Sequence, residues 1–114
     1  MGRGEVWLAI LDPTVGAEIG KTRPVAIVSD DEIGVLPLKV IVPITAWQDR
    51  YAHRVWMVQI EPSLENGLSK LSAADTFQLS SVSLERFVRQ LGRLSDTAMQ
   101  EITEALAFVL SIDS

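Results

Sequence analysis

The chain has 114 residues, 47% of them hydrophobic and 22% charged, a length and balance that fit one folded domain and exclude a disordered chain. It contains no cysteine, which excludes disulfides, thiolate metal sites and a cysteine nucleophile, and fits a reducing, cytoplasmic setting. The net charge of -5 and the pI of about 4.7 count against broad nucleic-acid binding, so any hold on a polyanion must come from a local basic patch.

The first part of the chain reads as short strands. Residues 5–11 alternate, with Val6, Leu8 and Ile10 on one face. Residues 12–22 form a long loop that contains Gly16 and Gly20. Residues 24–29 are apolar and largely β-branched, which predicts a strand buried on both faces. A polar turn over 30–34 leads to a third strand at 39–45. A polar and aromatic loop at 46–52 then precedes a fourth strand at 54–60. A loop over 62–70 contains Asn66-Gly67, and residues 74–82 and 87–91 are further strand candidates. The period then changes. Ala98, Ile102, Ala105, Leu106, Val109 and Leu110 recur at helical spacing, with Ser95 or Asp96 placed as the N-cap. Many short strands and one final helix predict a single domain over 1–114, a small bent sheet or barrel capped by the helix. The first residues lack the apolar core of a secretory leader, and no apolar run approaches the about 20 residues of a membrane span.

Two strand ends carry the residues with chemical potential. Arg23 precedes Pro24, which biases it to an extended conformation at a strand entrance. Its guanidinium has five donors and stays charged, so it suits a phosphorane-like transition state better than proton abstraction. An ordinary role would be a surface pair with an acid such as Glu18. Thr45 ends an apolar strand, where it is either a plain β-favouring residue or a hydroxyl for a phosphate or a 2′-OH. His53 is the only histidine and reads best as an exposed loop residue. With no second histidine or cysteine, no metal site and no cofactor are expected. Lys21, Arg50, Tyr51, Trp47 and Trp56 could form a basic and aromatic groove for single-stranded RNA, although Trp7 and Trp56 also suit the core.

Taken together, these segments resemble the MazF/PemK (Kid-like) toxins of bacterial toxin–antitoxin systems, over almost the whole chain. The resemblance rests on Arg3-Gly4-Glu5-Val6-Trp7, Leu11-Asp12-Pro13-Thr14, Lys21-Thr22-Arg23-Pro24-Val25, Val42-Pro43-Ile44-Thr45, Gly67-Leu68-Ser69-Lys70 and Leu91-Gly92-Arg93-Leu94-Ser95. It implies a mainly β fold, a small SH3-like barrel with a C-terminal helix that works as a homodimer. It implies a metal-independent endoribonuclease that cuts single-stranded RNA by attack of the 2′-OH on the adjacent phosphate, leaving a 2′,3′-cyclic phosphate and a 5′-OH. The family's catalytic residues map onto Arg23 and Thr45, its loop acid onto Glu18, and its RNA-lining glutamine onto Gln78. A cognate MazE-like antitoxin would block the same groove. The general base is open between Glu18, His53 and water.

Two positions depart from the family pattern: Ser80 stands where an arginine is frequent, and Ser83 where an acid is frequent. An alternative is a catalytically silent or protein-binding toxin of the same fold, such as the CcdB-like gyrase inhibitors. Those act through a tryptophan near their last residues, whereas this sequence has Leu110-Ser111-Ile112-Asp113-Ser114 there.

Overall fold

The computed structural model describes residues 1–112; Asp113 and Ser114, the last two of the segment compared with the gyrase inhibitors, lie outside the described residues. The strands are β1 (Glu5–Ile10), β2 (Thr22–Ile27), β3 (Leu38–Ala46), β4 (Met57–Ile60), β5 (Ser72–Asp75), β6 (Ser80–Ser83) and β7 (Phe87–Arg93), followed by α1 (Asp96–Val109). Neighbours pair antiparallel in the order β4-β5-β3-β2-β1-β7. The mainly β expectation holds, with a sheet whose hydrogen-bonded path stays open between β4 and β7.

Strand β3 organises this sheet. One edge pairs with β2, Val25 opposite Pro43 and Ile27 opposite Ile41. The other edge is shared: β6 pairs with residues 38–41 and β5 with residues 44–46. The expected single strand over 74–82 is therefore two strands separated by a 3₁₀ turn at Thr76–Gln78. The interruption lies opposite Pro43, which has no N–H to continue a ladder. The side chain of Asp75 accepts the Phe77 N–H at 3.1 Å and fixes the turn.

Core residues lie on both faces of the sheet. Ala26, Val28, Val42 and Ile44 pack with Val58, Ile60 and the helix residues Ile102 and Ala105. Val25, Ile27 and Ile41 pack on the opposite side with Ala9 and Val82. The doubly buried strand read in residues 24–29 is borne out. Strand β1 is not a simple alternation. Val6 and Ala9 are buried while Ile10 is exposed, because the register against β7 slips between Val6 and Trp7 and between Leu8 and Ala9. The fourth strand starts only at Met57, since the Met57 N–H closes a turn onto the Arg54 carbonyl. Helix α1 begins at the expected cap: the Ser95 hydroxyl accepts the Ala98 N–H at 3.1 Å. Arg3 pins the helix to β2's exit by donating to the Val28 carbonyl and to the Thr103 hydroxyl.

Candidate active site

The β2–β3 register brings Arg23 and Thr45 together. Val25 faces Pro43 in an antiparallel pair, so two residues outward on each strand are Arg23 and Thr45, with side chains on the same face as that pair. Arg23 Nη1 lies 3.4 Å from Thr45 Oγ1, and Arg23 Nε donates to the Gly20 carbonyl at 2.9 Å. The contact with Thr45 is longer than an ordinary hydrogen bond, so both groups keep capacity for a ligand. The Gly20 bond fixes the guanidinium plane. Arg23 makes no ion pair with Glu18; the one ion pair among the described residues joins Arg93 to Glu5 at 3.9 Å.

Arg23 and Thr45 line an open cleft of about 380 Å³. Its other polar lining includes Lys70 and Ser69 from the β4–β5 loop, Thr22 from β2 and Arg89 from β7. Among the described residues, none that lines it is acidic. A protein with net charge -5 thus carries one locally cationic cleft, the basic patch that its composition required. Lys70 and Arg89 were not among the expected basic residues. Lys70 lies in a segment of the family resemblance, but nothing local in the sequence pairs β7 with β1, the pairing that sets Arg89 opposite Leu8 of the cleft.

The other candidates divide into two groups. Glu18 and Gln78 line a neighbouring cleft of about 580 Å³ between the β1–β2 loop and the turn before β6. Both side chains bond the backbone of the β1–β2 loop. Glu18 accepts the Val15 N–H at 2.6 Å, and Gln78 bonds the backbone of Ile19 and Ala17. Ser80 lines this cleft at the position where the family often has arginine.

Trp47, Arg50 and Tyr51 cluster in the β3–β4 connection, which includes a 3₁₀ turn at Asp49–His53. The Trp47 and Tyr51 rings meet edge to face at 5.8 Å. The guanidinium carbons of Arg50 and Arg54 lie 5.5 and 5.4 Å from the Tyr51 ring centre. Tyr51 is only 7% exposed, with its own tryptophan and arginines packed around the ring. Trp47 is half-buried and Arg50 exposed. Lys21 is exposed in the left-handed region at φ 66, next to Thr22 of the cleft. His53 is exposed, and neither it nor Glu18 lines the Arg23 cleft.

Asp75 is a buried acid that the sequence reading passed over. Burial pushes its carboxyl above the ordinary 3.8, opposed by the backbone N–H groups of Phe77 and Gln78 and by the charge of Arg54. Its sequence signal was a carboxylate directly before a turn with a free N–H, hidden inside what read as one strand.

With this geometry in place, the comparisons are unambiguous about the class. Residues 2–110 match the family of PemK-like, MazF-like toxins of type II toxin–antitoxin systems, and the chain belongs to that family. It is 30% identical over 119 residues to Endoribonuclease MazF9 of Mycobacterium tuberculosis, covering 98% of each chain. Its fold is that of MazF from Deinococcus radiodurans, with a TM-score of 0.82 at 21% identity and coverage of 98% and 97% of the two chains. It is equally that of a mycobacterial endoribonuclease solved in complex with its cognate antitoxin, at a TM-score of 0.78, 20% identity and coverage of 100% and 98%.

Proposed function

We propose that this chain is an endoribonuclease toxin that cleaves single-stranded RNA, mRNA above all, in the cleft between Arg23 and Thr45, and that a cognate antitoxin neutralises it. The observation that carries the reading is the pairing of those two side chains in a cleft lined also by Lys70 and Arg89, on a chain of this family. It disfavours a purely protein-binding toxin, which has no use for such a cleft.

The substrate supplies its own nucleophile. The 2′-oxygen forms a bond to phosphorus, the bond from phosphorus to the 5′-oxygen breaks, and a 2′,3′-cyclic phosphate and a 5′-OH result. Arg23 donates to the phosphate oxygens as negative charge builds on them and to the departing 5′-oxygen. Two of its five donors face Gly20 and Thr45, so three remain for the phosphate. Thr45 holds the phosphate or the 2′-OH. Because neither Glu18 nor His53 lines the cleft, solvent takes the 2′-OH proton and returns one to the 5′-oxygen. No metal or cofactor enters this scheme. Lys21, Lys70, Arg89 and Arg50 provide the phosphate track, and Trp47 the stacking surface.

The chain acts in the cytoplasm, where its substrate is, and as a homodimer. Val35 at 99% and Phe108 at 67% exposure leave apolar surface that a second copy would cover. Sedimentation near twice 12.5 kDa checks the dimer, and a monomer that still cleaves RNA refutes it as a requirement.

The reading is tested with a long single-stranded RNA in EDTA. Cleavage should persist, the products should carry cyclic phosphate ends, and a 2′-deoxy substitution at the cut position should abolish cutting there. Arg23→Ala should lower the rate at least ~10²-fold, the scale of losing one preorganised donor, with a smaller loss in RNA binding. A folded Arg23→Ala protein that cleaves normally would sink the site assignment. Cutting at a deoxy position would move the nucleophile to water.

A further inference from the structure

The β1–β2 loop, residues 11–21, is closed at its neck by the Leu11 N–H donating to the Lys21 carbonyl at 2.8 Å and is fastened by side chains at three further points. At its start, Arg86 Nη1 donates to the carbonyls of Ile10 and Asp12, each at 2.9 Å. In its second half, the Ile19 N–H donates to Gln78 Oε1 at 2.7 Å, and Gln78 Nε2 donates to the Ala17 carbonyl at 3.2 Å. At its end, the Gly20 carbonyl accepts Arg23 Nε at 2.9 Å. The two halves of the loop pass close together at Gly20, where a Cβ would lie 2.3 Å from Asp12 Oδ1 and 2.8 Å from Thr14 Oγ1.

These contacts form a short mechanical chain. The amide of Ile19 and the carbonyl of Gly20 are two peptide units apart, joined only by the φ and ψ rotations of Ile19 and Gly20. Fixing the first therefore restricts the second, and the second sets the plane of the Arg23 guanidinium. A primary amide suits this task because it presents an acceptor and a donor side by side to a backbone N–H and C=O. Gln78 is in turn presented by the Thr76–Gln78 turn that Asp75 caps.

We infer that Gln78 is a positioning residue for cleavage: through Ile19 and Gly20 it holds the Arg23 guanidinium in line with Thr45. The inference rests on the nuclease reading of the Arg23 cleft. It differs from a direct RNA contact, because both ends of the Gln78 amide are already bonded to the protein's own loop.

The test begins without RNA. In the full-length ¹⁵N-arginine-labelled protein, the Arg23 Nε–H is shielded from solvent exchange by the Gly20 carbonyl. Gln78→Met keeps the side-chain volume and removes both bonds. It should speed exchange at Arg23 about fivefold, the scale of one net hydrogen bond, while Arg93 is unaffected. Gln78→Glu keeps the acceptor for Ile19 and loses the donor to Ala17, so it should fall between Gln78→Met and the unaltered protein. It carries the same test if Gln78→Met does not fold. In cleavage, Gln78→Met should lower kcat on the order of tenfold or more, the cost of misplacing a catalytic group. KM should change little, and every cut site should lose equally. Unaltered Arg23 exchange in both variants overturns the inference, and so does a rise in KM with altered site preference, which a direct base contact would give. Because the exchange arm needs no substrate, failure of the unaltered protein to cut RNA would count against the nuclease reading alone.

Discussion

One loop lines the Arg23 cleft and another leads into Arg23 itself, and the two are held in opposite ways. The β4–β5 loop, residues 61–71, is built around a buried side chain. Asn66 Oδ1 accepts the N–H groups of Ser63 and Leu68 at 3.0 and 2.9 Å, and Asn66 Nδ2 donates to the Glu61 carbonyl at 2.9 Å. The β1–β2 loop has no buried side chain of its own and is fastened from outside by Gln78 and Arg86. The difference suggests a division of labour. One wall, bearing Ser69 and Lys70, is part of the core's packing. The other, leading into Arg23, is set by a few partly exposed bonds that cost little to remake. A cleft that must accept a flexible strand and then align it benefits from one wall of each kind.

Two glycines break or sharpen that contrast most strongly. Gly67 and Gly16 sit in the left-handed region at φ 69 and 59. A Cβ on Gly67 would lie 2.0 Å from the Leu91 carbonyl oxygen and 2.6 Å from its carbon, both backbone atoms of β7. A Cβ on Gly16 would meet nothing within 4 Å. Gly67→Ala should therefore destabilise by more than ~4 kcal/mol, in the exceptional range for a point change. Gly16→Ala should lose only the left-handed penalty, roughly 1–2 kcal/mol. Denaturant midpoints of the two variants decide it. Similar losses at both positions would mean that β7 yields to the loop and that the two walls are not mechanically distinct.

The capping acid behind the adjustable wall gives a smaller, pH-dependent effect. Asp75 has its carboxyl raised above 3.8 by burial, so between the unfolded and folded values the native state holds more protons than the unfolded chain. Its contribution to stability is complete below pH 3.8 and falls as the pH rises through the folded value. Asp75→Asn keeps an acceptor for the Phe77 N–H and removes the charge. Relative to the unaltered protein it should gain stability from pH 3.5 to pH 7, by about 1 kcal/mol or less. A variant that instead loses ground at pH 7 would show that Arg54 and the turn's N–H groups outweigh burial.

What the sequence made legible follows from how local each cause is. The apolar run of β2 is a local property, and Val25 to Val28 are indeed all buried. The Ser95 cap and the helical period behave in the same way. Strand β1 failed because its bulges belong to the pairing with β7, which no alternation within residues 5–11 can register. The break after Asp75 is likewise written in Pro43, on a different strand. At the site, Arg23 and Thr45 were readable as polar strand ends within family motifs, and the β2–β3 register brings them together. Lys70 and Arg89 join them through pairings distant in sequence. Gln78 was read as an RNA-lining residue, but its bonds to residues 17 and 19 depend on where the β1–β2 loop folds back.

A change in salt dependence separates the two loops by charge. The cleft presents Arg23, Lys70 and Arg89, with Lys21 and Arg50 outside its lining, whereas Arg54 is occupied by Tyr51 and Trp56. For a single strand, log K against log salt falls by about 0.7 for each phosphate neutralised, so three or four contacts give a slope of roughly -2 to -3. Lys70→Ala removes a charge held on the rigid wall and should flatten the slope by ~0.7. Lys21→Ala should flatten it by no more than that, because its side chain is exposed and lies outside the lining of the cleft. Trp47→Ala should weaken binding by ~1–3 kcal/mol without altering the slope, since stacking displaces no counterion. Fluorescence titrations across a salt series measure all three. A slope much steeper than -3 would place additional cations on the RNA path, and in a homodimer they would come from the second copy. A slope unchanged by Lys70→Ala would take the rigid wall off that path altogether. The β1–β2 loop would then be the only wall that meets the RNA, and the strand would run along the side that Gln78 holds.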